Sequence, residues 1–111
     1  MVNPYRGEVT LGVDGAPRVM RLTLGALAEL EAKLECDSLL EMIARFENGA
    51  FRVRDLIGLL TAGLNGGGWR VDEAELIEHR IDGGPLAAAQ AAARLLKLTF
   101  TLPGDEPDGG Q

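Results

Sequence analysis

The side chains that could do chemistry in this chain are few, and His79 is the first to consider. It is the single histidine, and its functional role would be that of a general base or a metal ligand. A zinc site needs further ligands at short spacings, and the residues around His79 do not supply them. We therefore expect His79 to be a solvated residue near the C-terminus of a helix, where a partly cationic imidazole is favourable.

Cys36 is the single cysteine, which excludes an intramolecular disulfide and a zinc site built on cysteines. Its acidic neighbours Glu35 and Asp37 disfavour a reactive thiolate. We expect Cys36 to be a small buried hydrophobic residue near the end of a helix.

The acidic residues do not pair for general acid–base catalysis. Glu29 and Glu31, like Glu73 and Glu75, are two positions apart and therefore point to different faces of a helix. Ser38 has no evident histidine partner that would activate it as a nucleophile. The sequence therefore predicts neither an enzyme nor a metal site.

The run Gly66–Gly68 precedes the only tryptophan, Trp69, and a cationic neighbour, Arg70. It lacks the Gly-Lys-Ser/Thr ending of a phosphate-binding loop, so we interpret it as a hinge. Trp69 has two possible roles. It could close over the third and fourth helices as a lid, or it could anchor a partner together with Arg70, since both residue types are enriched in interface hot spots.

The last predicted helix ends in a run of large apolar residues that includes Leu95, Leu98 and Phe100. Packing in the core is the default interpretation of these side chains. The alternative is that the final turn projects beyond the core and docks into a groove of another protein. We retain Leu95, Leu98 and Phe100, with Trp69 and Arg70, as candidate partner-binding residues.

Composition places the chain among ordinary globular domains. It has 111 residues, of which 46% are hydrophobic, 25% charged and only 5% aromatic, and its net charge is −6. With 17 acidic against 11 basic residues, we expect neither nucleic acid nor an anionic membrane to be a partner. The N-terminus lacks an apolar leader, which favours a cytoplasmic protein.

Apolar periodicity predicts an α+β domain over residues 1–101, mostly helical, with an N-terminal hairpin at about 8–22 and an acidic disordered tail at 102–111. The alternation of Val9, Leu11 and Val13 indicates a half-buried strand, and Asp14-Gly15 suits a tight hairpin turn. A lone hairpin is marginal in water, so it must pack on helices or join another sheet. Helices are expected at about 24–35, 39–47, 53–65, 73–81 and 85–99.

Local signals fix the ends and the packing of several helices. Thr23 is a candidate N-cap for the first helix, Ser38 with Glu41 fits a capping box for the second, and Asp72 begins the fourth. Gly58 and Gly63 interrupt the third helix, which usually indicates a close helix contact or an early end.

Three segments carry a family resemblance that covers roughly residues 6–100. Arg6-Gly-Glu-Val through Asp14-Gly15 to Arg21-Leu-Thr-Leu-Gly-Ala-Leu resembles the opening of a family encoded in the tail-gene clusters of gene transfer agents and related siphophages. Leu39-Leu-Glu-Met-Ile-Ala-Arg-Phe-Glu-Asn-Gly is similar to its second helix, and Arg54-Asp-Leu-Ile-Gly-Leu-Leu-Thr-Ala-Gly-Leu to its third.

The resemblance implies a tail assembly chaperone, a small acidic helical protein that binds the tape-measure protein while tail-tube subunits polymerise around it. It implies no enzymatic activity, no cofactor and a cytoplasmic location, with transient presence on assembling tails. A homo-oligomer is also possible. The main alternative is a structural tail component of the particle, in which the hairpins of neighbouring copies would pair in a ring.

A third hypothesis comes from the basic residues and belongs to a different class. A helical regulator would bind nucleic acid through a local basic patch, although the overall charge opposes it. The residues that would carry this binding are Arg45, Arg52, Arg54 and Arg70.

Overall fold

A computed structural model describes the backbone at residues 7–33 and 39–100, and the side chains at residues 7–30 and 40–99. It confirms the predicted α+β class: an N-terminal hairpin is followed by helices. The elements in chain order are β1 (Val9–Val13), β2 (Ala16–Met20), α1 (Leu24–Lys33), α2 (Leu39–Asn48), α3 (Val53–Gly66), α4 (Glu73–Leu76) and α5 (Gly84–Phe100).

The hairpin forms as the alternation predicts. Strands β1 and β2 are antiparallel, with Val9 opposite Met20 and Val13 opposite Ala16. Asp14 and Gly15 make the turn, and both have the positive φ, 54° and 81°, that a two-residue type I′ turn requires. The three alternating apolar side chains of β1 are all at most 3% exposed, so this face of the hairpin is part of the core.

Helix α5 packs against α2, α3 and β1 and provides the centre of the core. Its buried face begins with alanines, whose small side chains let neighbouring helices approach, and continues with larger residues that fill the space beyond. The buried residues of α5 are Ala88, Ala89, Ala92, Ala93, Leu95 and Leu96. Lys97 forms an ion pair with Glu47 and connects α5 to α2 at the surface.

The C-terminal turn of α3 lies directly against the outer edge of β2. The Arg21 N–H donates to the Gly63 carbonyl oxygen over 2.9 Å. A Cβ atom added to Gly66 would overlap the carbonyl oxygen of Arg21, and one added to Gly67 would overlap that of Val19. The predicted hinge is therefore wrong for Gly66 and Gly67, because these glycines are needed for a close backbone contact.

The outer edge of β1 is covered in a similar way by residues 80–82. The Asp14 N–H donates to the Arg80 carbonyl oxygen over 2.8 Å, and the Asp82 N–H donates to that of Gly12 over 2.9 Å. This segment runs along β1 like a short third strand and forms a single antiparallel bridge with it. The chain itself thus covers the outer edge of β1 at residues 12–14 and the end of the outer edge of β2 at residues 19–21, while residues 16–18 remain exposed.

Helix α4 is shorter than the predicted helix over about 73–81. Asp72 caps it as expected, because its Oδ1 accepts from the Glu75 N–H over 2.7 Å while the Glu75 side chain accepts from the Asp72 N–H over 3.0 Å. The helix ends at Leu76 because the following residues turn towards the hairpin, where His79 and Arg80 both hydrogen-bond to Asp14 in the turn.

Of the two glycines inside α3, only Gly63 shows one of the two outcomes that the sequence predicted, since the helix neither ends at Gly58 nor makes a close contact there. A Cβ on Gly63 would lie 2.8 Å from Leu95 Cδ2, so this glycine does mark a close contact. Gly58 has only the Glu73 carboxylate, at 3.5 Å, near such a Cβ. Thr23 accepts the Ala26 N–H over 3.1 Å, as predicted for an N-cap. The expectations for Cys36, Ser38 and the tail at 102–111 lie outside the described residues.

Candidate binding surfaces

Asp14, at the hairpin turn, holds the segment that follows α4. Its Oδ2 lies 2.6 Å from His79 Nδ1, and its Oδ1 accepts the Arg80 N–H over 2.8 Å. Since an ionised carboxylate only accepts hydrogen bonds, the Nδ1 atom of His79 carries the proton in this pair. His79 is therefore not simply the solvated residue that we expected, because it is a partner of the hairpin turn.

The same contacts set the charge state of Asp14. The hydrogen bond from His79 and, after it, the backbone hydrogen bond from Arg80 lower the pKa of the Asp14 carboxyl below its ordinary value. The carboxyl is therefore ionised at neutral pH, which suits an acceptor and not a proton donor. The side chain is 51% exposed, so water remains in contact with it.

Trp69 extends this group of side chains across the hairpin. Its ring stands edge-on to the His79 ring, with centroids 5.3 Å apart, and the Arg18 guanidinium lies 4.1 Å from the Trp69 ring centroid. A cation at this distance is attracted to the face of the ring. Arg18, Trp69, His79 and Asp14, hereafter the hairpin cluster, form a continuous chain of contacts on one side of the molecule.

The five candidate partner-binding residues lie in two separate places. Trp69 is half-buried in the hairpin cluster, and Arg70 beside it is exposed. Leu95 is fully buried in the core, while Leu98 is half-buried and packs against the core. The side chain of Phe100 lies outside the described side chains. Leu95 thus occupies its default position in the core, and only Trp69 and Arg70 lie near a common surface.

A second surface lies between α3, α4 and the start of α5, and the sequence analysis did not identify it. Here an open groove of about 420 Å³ has a largely apolar lining, hereafter the α3–α5 groove. Two apolar residues of the lining, Val53 and Ile77, are 62% and 60% exposed. The apolar residues at the start of α3 were a signal of this surface in the sequence. Whether they stay exposed, however, depends on where α4 ends. The groove is lined by Val53, Leu56, Ile57, Leu60, Leu76, Ile77, His79, Arg80, Ile81, Gly84, Pro85 and Ala88.

Within residues 7–33 and 39–100, no three His, Cys, Asp or Glu side chains are grouped so that they could hold a metal ion. None of the helices described has the length and apolar character needed to cross a membrane.

The hairpin cluster and the α3–α5 groove define a small α+β domain with two candidate binding surfaces. A family model described as "Phage tail tube protein, GTA-gp10" matches residues 6–101, and the chain belongs to this family. No curated protein and no solved structure matches the chain. The match confirms the resemblance to proteins of phage and gene transfer agent tails. Its description is that of a tube protein and does not include the assembly chaperone role.

Proposed function

We propose that this protein is a structural component of the tail of a phage-like particle, associated with the tail tube, and that it acts through protein–protein contacts without catalysis. The family match carries this proposal, because it extends over residues 6–101 and so includes every described helix and strand. The location that follows is the tail of the particle, and the partners are other tail proteins.

The structure argues against hairpin pairing as the way in which copies would join. Residues 80–82 occupy the outer edge of β1, and the C-terminal turn of α3 covers the end of the β2 edge at residues 19–21. Pro17, opposite Gly12 in the register, also has no N–H to donate from the β2 edge. Contacts with neighbours would therefore use side-chain surfaces such as the hairpin cluster and the α3–α5 groove.

A tail assembly chaperone is the second candidate function. The observation that favours it is the exposed apolar lining of the α3–α5 groove, since a chaperone for a long helical partner such as the tape-measure protein needs an apolar groove. In this role the protein would be present on assembling tails in the cytoplasm and absent from finished particles.

Quantitative mass spectrometry of purified particles separates the two functions. A structural component would be recovered at a fixed ratio to the tail tube subunits, and particles from cells that lack the gene would have no tail or a defective one. A chaperone would be missing from particles but would co-purify with the tape-measure protein from producing cells. Absence from particles together with normal particles from the deletion strain would contradict both functions.

A further inference from the structure

Two Asn-Gly pairs occur in the described part of the chain, and each lies at the C-terminal end of a helix. Asn48 is the last residue of α2 and precedes Gly49, while Asn65 and Gly66 are the last two residues of α3. Asparagine is a thermolabile residue, and a following glycine has no side chain to shield its backbone nitrogen from the asparagine amide. Since the two pairs share this local sequence, their surroundings decide which of them can react.

The first pair is open. Asn48 and Gly49 are both exposed, and a Cβ atom added to Gly49 would have nothing within 4 Å. Within residues 7–33 and 39–100, neither the Asn48 side chain nor the Gly49 N–H has a hydrogen-bond partner. The Arg45 carbonyl oxygen is taken by the Ala50 N–H over 2.9 Å, so the helix end is completed without the Gly49 nitrogen.

The second pair is held on both sides. Asn65 Oδ1 accepts the Val71 N–H over 2.9 Å, and the main-chain carbonyl oxygen of Asn65 accepts the Gly68 N–H over 3.1 Å. Gly66 lies against β2, where an added Cβ atom would overlap the Arg21 carbonyl oxygen. The Asn65 amide therefore cannot turn towards the Gly66 nitrogen unless these contacts break.

We propose that Asn48 is a site of spontaneous deamidation and that the fold protects Asn65 from the same reaction. The Gly49 backbone nitrogen gives up its proton to water and bonds to Asn48 Cγ. The Cγ–Nδ2 bond then breaks, and the leaving nitrogen takes a proton from water and departs as ammonia. Water opens the resulting succinimide at either carbonyl carbon, which yields aspartate or isoaspartate. Because helix ends fray, opening of the last turn of α2 is enough to bring the reacting atoms together.

The reaction would change the charge at the end of α2. The product adds one carboxylate at the negative end of the helix macrodipole, beside Glu47, which forms the ion pair with Lys97 of α5. Isoaspartate also adds a methylene group to the main chain. Copies of the protein would therefore become chemically different from one another with age, and this consequence does not depend on the proposed function.

Peptide mapping by mass spectrometry measures both sites in one sample of the full chain, aged in warm, mildly alkaline buffer. In the folded protein we expect Asn48 to deamidate about tenfold faster than Asn65, which corresponds to barriers that differ by ~1.4 kcal/mol. In guanidinium chloride the chain is unfolded and both asparagines simply precede a glycine, so the two rates should become similar.

A variant confirms the position. Asn48→Gln lengthens the side chain and disfavours ring closure, so it should stop the reaction at residue 48 and leave the rate at Asn65 unchanged. Equal rates at the two sites in the folded protein, or no reaction at Asn48, would overturn the proposal. A tenfold ratio that persists in guanidinium chloride would also overturn it, because the protection of Asn65 would then not come from the fold. These readouts are independent of whether the protein is recovered from purified particles.

Discussion

The two candidate surfaces lie on either side of the segment after α4, and they differ in how completely their groups are used. Towards the hairpin, Asp14 and Gly12 make hydrogen bonds with residues 79–82, and Trp69 packs between Arg18 and His79. Towards the α3–α5 groove, apolar side chains remain exposed on the rim. One side is thus closed by the chain's own contacts, while the other is left open.

This difference suggests what each side does. Hydrogen bonds and close backbone contacts demand fixed geometry, so the hairpin side stabilises one arrangement of β1, β2 and α3. Exposed apolar side chains contribute little to folding, and a contiguous group of them is typical of a surface that a partner covers. If this is right, substitutions on the hairpin side should lower stability, and those on the groove rim should affect binding alone.

The largest effect is expected from Gly67→Ala. The added methyl group would overlap the Val19 carbonyl oxygen and force α3 away from β2. We expect the free energy of unfolding to fall by about 2–4 kcal/mol, as measured by urea denaturation. Gly58→Ala, inside α3, is the control: the new methyl group has ordinary space there and should raise stability by about 0.5–1 kcal/mol.

Comparing Gly67→Ala with Gly58→Ala also shows which result would contradict a closed hairpin side. If Gly67→Ala is tolerated as well as Gly58→Ala, then the edge of β2 is not closed by a close contact. The hairpin would then be free to pair with another chain.

These glycines show where sequence reasoning about the fold succeeds and fails. The alternation of Val9, Leu11 and Val13 predicted the strand and its buried face, because that signal is local and repeats every two residues. The contact of Gly67 with β2 joins residues that are distant in the chain, and only a backbone approach explains it. In the sequence, a run of glycines looks the same whether it forms a hinge or a close backbone contact.

A smaller effect is expected from Gly12→Ala, at the opposite edge of the hairpin. The new Cβ would lie 2.5 Å from Asp82 Oδ2 and 2.9 Å from Asp82 Cβ, so the Asp82 side chain must move. We expect a loss of about 1–2 kcal/mol in the free energy of unfolding. In an Asp82→Ala background the loss should be about half as large, since the carboxylate is gone. Equal losses in the two backgrounds would mean that the Asp82 carboxylate is not the obstacle.

A still smaller effect, which depends on pH, is expected from Asp14→Asn. The pKa of Asp14 is lowered in the folded state, so its charge adds stability above the pKa of an unfolded aspartate. That stability is lost as the pH falls through the lower, folded-state pKa. Asparagine tolerates the positive φ of 54° at this position, so the substitution tests the charge and not the turn.

Thermal melting followed by circular dichroism measures this effect. The Asp14→Asn variant should melt at a slightly lower temperature than the parent near pH 7, and the difference should shrink as the pH falls below the ordinary aspartate pKa of 3.8. His79→Gln provides a companion variant that removes the ionisable ring from the same pair. A difference between Asp14→Asn and the parent that stays constant with pH would assign the effect to geometry.

The pairing of Asp14 with His79 also shows what the sequence could not reveal about the site. The two residues are 65 positions apart, and no residue next to either one indicates that they form a hydrogen bond. Trp69 was identified as a candidate from its residue type, and the structure places it in the hairpin cluster with Arg18. The α3–α5 groove was missed because it exists only where α4 ends early, and the acidic start of that helix gave no sign of its length.

The smallest effect on stability is expected from Ile77→Ser, and it is the sharpest test of the open side. Ile77 is 60% exposed, so the substitution should change the free energy of unfolding by no more than about 0.5 kcal/mol. Leu76→Ala, one residue earlier and 3% exposed, should cost about 2–4 kcal/mol. A large loss from Ile77→Ser would mean that the rim is part of the core. A negligible loss would show that folding does not need an apolar side chain at this position, as the difference between the closed and the open side requires.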